Sequence, residues 1–335
     1  MTPIARGWRE GLPFALAALA AAAAAAASLL AGSIRIPPEK VVAALLGSGD
    51  VPTLAIVREI RLPRTLLGLL VGGALAMSGA SLQALLQNPL ADPFLLGVSG
   101  GAACGALVGS LLAVSSPAGP SVLVGPMAAF LGALAAVALV GAGASVRGRL
   151  DRNRLLLSGV VVNALASAVL LFLLSFGNAD QTRGFVFWML GSLAGATRDG
   201  VVSMAIYAAA GGLVLVGLSR SLDALTLGDE TAFTLGISVE RTKRIAYVAA
   251  SLLAAAAVAQ AGIIGFVGLL VPNAVRLVAR GHVRVLLLSF LVGAALLAAS
   301  DVAARTVFSP SEVAVGAVTA LLGAPAFLVL LRRRS

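Results

Sequence analysis

The feature that most constrains this chain is a succession of apolar runs, spaced from near its first residue to near its last. They reach the roughly 20 residues that a helix needs to cross about 30 Å of hydrocarbon, against about 9–11 for a barrel strand. Hydrocarbon offers the backbone no water, so each span must satisfy its own N–H and C=O groups, as a helix does. The expected fold class is therefore all-α and polytopic. Composition agrees: 59% of the 335 residues are hydrophobic and 11% charged, where an average soluble domain has about a quarter charged.

Breaks between the runs predict a single transmembrane domain over residues 1–335 with about ten spans. Their expected limits are 11–31, 63–85, 94–115, 121–145, 155–177, 200–219, 245–261, 263–280, 285–304 and 312–331, with a cytoplasmic loop at 220–244. Only Gly262 and its neighbours separate spans seven and eight. Arg6 and Arg9 ahead of the Leu12–Leu30 run resemble the start of a secretory signal, but the run exceeds the roughly 7–15 residues of a signal core. A retained first helix is expected.

With the N-terminus in the cytoplasm, sixteen of the 24 basic residues fall on the cytoplasmic side. They are Arg6 and Arg9, four between Arg147 and Arg154, Arg220 with Arg241, Lys243 and Arg244, three between Arg276 and Arg284, and Arg332 to Arg334. The positive-inside bias thus predicts both termini in the cytoplasm. The same dispersal over loop ends argues against nucleic acid as the target of the net charge of +10.

Several chemistries are excluded. Cys104 is the single cysteine and His282 the single histidine, so neither a disulfide framework nor a Cys/His metal cluster can form within the chain. No Gly-Lys dipeptide occurs, and without it there is no phosphate-cradling P-loop.

Small residues recur every fourth position, at Gly68, Gly72, Ala76, Ala80 and Ala84 and again at Gly97, Gly101, Gly105 and Gly109. Residues four apart share a helix face and permit close helix approach, within the chain or at a subunit interface. Four polar stretches stand out against this background. Gln87 to Pro93 holds two prolines and must turn sharply. Arg61-Leu-Pro-Arg64 sets two guanidinium groups at an outer mouth, for lipid headgroups or an acidic partner. Gly228 to Gly236, with its acidic start and closing glycine, suits a short helix that docks on a soluble partner or a solvated loop. Asp301 and Arg305, four apart, suit an ion pair, with a proton relay as the alternative.

Read in order, these stretches resemble the FecCD family of ABC-importer permeases. The matching segments are Arg61 to Arg64, Gly79 to Gln83, Asn88 to Pro93, Leu96 to Ser99, Gly228 to Gly236, Gly262 to Gly268, Asp301 with Arg305, and Gly323 to Pro325. The resemblance implies ten helices per subunit in the type II importer fold, an inverted pseudo-repeat, and a homodimer with its path on the symmetry axis. It also implies two copies of a separate ATPase that bind ATP and Mg, a periplasmic binding protein, and a cargo of haem, ferric siderophore or cobalamin. This chain would then be no enzyme and would carry no cofactor itself.

Family roles carried onto this sequence make Arg61, Arg64 and Arg305 the docking site for the binding protein. Gly228, Asp229, Glu230, Thr231, Ala232, Phe233, Leu235 and Gly236 become the coupling segment for the ATPase. Asn88, Leu90, Arg152 and Asn153 become a cytoplasmic gate. Two positions depart from the family: Asn273 stands where histidine is usual, and Glu312 lacks a following proline. The rival reading is an ion-coupled secondary transporter, which needs mid-membrane ionisable groups that these spans almost lack.

Overall fold

The computed structural model describes residues 3–32, 34–114, 124–307, 309 and 311–332. The expected junction between spans three and four at 115–121 lies outside them, as do Arg333 and Arg334 and the side chains of Arg6 and Arg9. In chain order the elements are α1 (Pro3–Leu30), α2 (Pro38–Leu46), α3 (Val51–Ala55), α4 (Leu62–Leu85), α5 (Val98–Val114) and α6 (Val124–Ala144). A hairpin of β1 (Ser145–Val146) and β2 (Arg149–Leu150) follows. Then come α7 (Arg152–Leu174), α8 (Ala179–Met189), α9 (Arg198–Gly217), α10 (Ser219–Thr226), α11 (Asp229–Thr234), α12 (Val239–Ala261), α13 (Val267–Val275), α14 (His282–Thr306) and α15 (Val315–Arg332).

Among the described residues seven helical stretches are long and apolar enough to cross a membrane, and α5 and α15 are shorter apolar helices. The second of the seven runs from Val51 to Leu85, twelve residues ahead of its expected start. Pro63 lies inside this stretch, although proline has no N–H and its ring crowds the carbonyl four residues back. A wider π-helical turn at Ile56–Arg61 accommodates it, and Asp50 caps the true start by accepting from the Thr53 N–H at 3.2 Å.

The eighth span also differs. Instead of a helix over 263–280, α13 has nine residues, about 14 Å at the helical rise and too short to cross alone. Gly262, at φ 69°, ends α12, and a side chain there would strike the Trp188 carbonyl. Phe266 adopts φ 68°, so the backbone between α12 and α13 is not helical.

The small-residue stripes pack within the chain. Gly72 of α4 meets Gly293 of α14 backbone to backbone, and Gly101 and Gly105 of α5 lie against Gly132 and Ala128 of α6. Gly79 faces the Gly268 carbonyl of α13. Such closeness lets helices associate where hydrocarbon supplies no hydrophobic drive. Helices α4 and α12 form the interior and pack on each other, with α14 and α13 also on α4 and α6 and α9 also on α12. The charged side chains of the long helices lie toward their ends.

Candidate functional site

At one end three arginines spaced by three residues close off neighbouring helices. Arg58 donates to the carbonyls of Ala44 and Leu45 at 2.8 Å, capping α2. Arg61 donates to Leu29 at 2.8 Å, to Leu30 at 3.0 Å and to Ile34, supplying the orphan carbonyls at the end of α1. Arg64 holds Asp301 through Nε and Nη2, the shortest contact being 2.9 Å, and reaches Glu312 through Nη1 at 3.0 Å.

Arg305 completes the cluster. It lies 3.3 Å from Asp301 and donates to the Ser28 carbonyl and hydroxyl at 2.7 and 2.8 Å. Ser28 in turn hydrogen-bonds Thr65 at 2.7 Å, which ties α1 into the bundle. Exposure is 3% for Arg61, 7% for Arg64 and 4% for Arg305.

All three side chains are folded against the chain's own carbonyls and carboxylates rather than extended toward lipid headgroups. The guanidinium groups turn inward because unpaired carbonyls and a buried carboxylate are there to receive them. The expected Asp301–Arg305 pair is present, but Asp301 also belongs to Arg64, 237 positions away. A carboxylate at membrane depth signalled a partner; nothing in sequence spacing pointed to Arg64.

At the other end, α10 and α11 form the loop expected at 220–244. Gly228 and Gly236, with φ of 112° and 81°, bracket α11 in conformations that favour glycine. Ala232 is buried beneath α11, whereas Phe233 is 74% exposed and Leu235 is exposed beside it. Glu230 and Thr231 also face outward.

Asp229 is the anchor of this helix. One carboxylate oxygen meets Arg152 of α7 at 2.5 Å and the other meets Lys243 of α12 at 2.5 Å. Lys243 is buried and also lies 3.7 Å from Glu240, which accepts from the Leu150 N–H of the hairpin at 2.8 Å. The acidic residue expected to favour a helix start is thus a bridge between two long helices. Arg152, expected in a gate, is committed to that bridge, and its neighbour Asn153 is exposed.

Asn88 and Leu90 share one tight turn, the Asn88 side chain accepting from the Leu90 N–H at 2.9 Å. The turn is pinned by Gln87 donating to the Leu225 carbonyl of α10, and by Asn273 of α13 donating to the Pro89 and Leu269 carbonyls at 2.8 Å. Asn273 is buried, so the residue at the departure from the family pattern supports this turn directly. Asp92 caps the 3-10 turn Pro93–Leu96 by accepting from the Phe94 N–H at 2.9 Å. Its surface is partly accessible, yet the protein packed around it pushes its carboxyl up to about 6, against that hydrogen bond.

The fold is thus an apolar multi-helix membrane bundle with a braced short helix at one end and a buried charge network at the other. The chain belongs to the FecCD transport family, whose model matches residues 19–333. It is 42% identical over 83% of its length to the cobalamin import system permease protein BtuC of Halobacterium salinarum, covering 74% of that protein. It is 40% identical to the hemin transport system permease protein HmuU of Yersinia pestis, over 82% of this chain and 83% of that one. A solved metal-chelate type ABC transporter in an inward-facing conformation superposes with a TM-score of 0.83 at 29% identity, over 96% of this chain and 99% of that chain. The chain is therefore a multi-pass membrane permease subunit of an ABC importer and not an enzyme, and it works with a separate ATPase and a binding protein.

Proposed function

We propose that two copies of this chain form a homodimer in the bacterial inner membrane, with both termini cytoplasmic, and pass haem, a ferric siderophore or cobalamin along the dimer axis by alternating access. The observation that carries the reading is α11: a short helix with Phe233 and Leu235 outward, braced through Asp229 to both α7 and α12. A helix held to two long helices delivers a push from below to both, which a solvated loop would not. ATP and Mg are bound by the ATPase, two copies of which grip the dimer, and this chain holds no cofactor.

The binding protein docks at the opposite end, over Arg61, Arg64 and Arg305. Arg64 and Arg305 meet two carboxylates there, Asp301 and the more exposed Glu312, while Arg61 is held by backbone carbonyls. Docking exchanges the Arg64–Glu312 contact for a carboxylate of the partner. Asn88, Leu90 and Asn153 narrow the cytoplasmic end of the path, and Arg152 ties that end to the coupling helix through Asp229. The cargo names come from the relatives, a cobalamin permease and a hemin permease, and a ferric siderophore is the third class within the family. Uptake of labelled haem, ferric siderophore and cobalamin into proteoliposomes holding permease, ATPase and binding protein tests the reading. ATP-dependent accumulation of one cargo is expected, and accumulation of none would refute it.

A further inference from the structure

Two apolar grooves run along opposite sides of α12 and meet at a single arginine. One, of about 390 Å³, lies between α6 and α12 and is walled by Val137 and Gly141. The other, of about 410 Å³, lies between α9 and α12 and is walled by Ala210 and Val214. Val248 and Leu252 border both grooves, and Arg244 stands at the end of both. Residues 244, 248 and 252 are four apart, so they form one ridge on α12 with the charge at its coupling-loop end.

The surroundings of Arg244 are basic. It donates to the Gly148 carbonyl, which holds the hairpin bearing the exposed Arg147 and Arg149 beside it, and Arg241 is exposed one turn earlier on α12. Nearby Glu240 is engaged by the Leu150 N–H and Lys243. Val248 is half-exposed between the grooves, so this face is open along the membrane-spanning part of the helix.

We infer that this face binds one anionic glycerophospholipid, its phosphate at Arg244 and one acyl chain in each groove. Basic pockets between membrane helices recognise such headgroups. Two grooves that converge on one charge fit a two-chain lipid, whereas a soluble phosphate would leave both grooves empty. The inference requires only that the chain is a multi-pass membrane protein and is independent of its cargo.

Native mass spectrometry of the full chain, delipidated in detergent and titrated with phosphatidylglycerol or phosphatidylcholine, tests it. Phosphatidylglycerol should bind in preference to phosphatidylcholine, and Arg244→Gln should weaken it about fivefold, the worth of one basic residue at a membrane surface. Ala210→Phe, at an exposed wall of the second groove, should weaken it with the charge intact. Equal binding of the two lipids, or indifference to both substitutions in a protein that elutes as the wild type does, would overturn the inference. So would an Ala210→Phe variant that loses a second copy of the chain while its lipid binding is unchanged, since the face would then be a subunit interface.

Discussion

At the scale of single residues, the energetics concentrate where charge is buried. Asp301 is 1% exposed and holds two arginines. Taking charges out of water is costly, so the network adds little net stability, but removing one member leaves the others uncompensated. Asp301→Ala should therefore lower stability by about 3–5 kcal/mol, read as a lower unfolding midpoint in detergent. A change within error would mean that water reaches Arg64 and Arg305. Asn273→Ala removes the donor to the Pro89 and Leu269 carbonyls and should cost about 1–3 kcal/mol, with faster proteolysis at the 87–92 turn. The arginines were legible in sequence as a charged cluster and Asp301 as a group in need of a partner. Their inward direction was not, because it is set by carbonyls at the ends of α1 and α2 that no local spacing reveals.

At the scale of elements, the long apolar helices were legible, whereas their limits and the short helices α2 and α8 were not. Apolar length located the bundle helices, but the span expected at 63–85 begins at Val51, a π-turn carrying the helix through to Pro63. The apolar run after Gly262 similarly hid a nonhelical stretch and a nine-residue helix. Hydropathy reports burial in hydrocarbon or protein alike and is blind to whether the backbone inside a run is regular.

The glycine stripes were read correctly as packing, and their partners define a prediction. Gly72→Val should prevent α4 from seating on Gly293 of α14 and lower the yield of folded protein in membranes. The same substitution at Gly11, which has open space around it, should be tolerated. For the coupling element, Asp229→Ala leaves the buried Lys243 with Glu240 at 3.7 Å as its remaining carboxylate and should cost about 1–3 kcal/mol, short of unfolding the bundle. It should nonetheless cut transport per ATP hydrolysed. Phe233→Ala should weaken ATPase assembly by about 2 kcal/mol if Phe233 is the anchor of that interface. Unchanged assembly in a pull-down would remove α11 from the interface.

At the scale of the whole molecule, the arrangement separates tasks by position. An interior almost without ionisable groups offers a moving ion no site, which argues against coupling to a proton or sodium gradient. In the proposed function force then enters from an end, through α11 and its bridge to α7 and α12. Class and partners were legible in the order of the loops along the chain, while the cargo was not, because a path of Ala, Gly, Leu and Val presents little chemistry to read. In the proposed function ATP hydrolysis by a partner, and no ion gradient, drives movement through this chain. Cargo uptake into proteoliposomes containing the complete complex, with ATP and an imposed proton or sodium gradient supplied separately, distinguishes the two. Uptake is expected with ATP alone, lost in Asp229→Ala, and none with a gradient alone; gradient-driven uptake in the absence of ATP would overturn this reading.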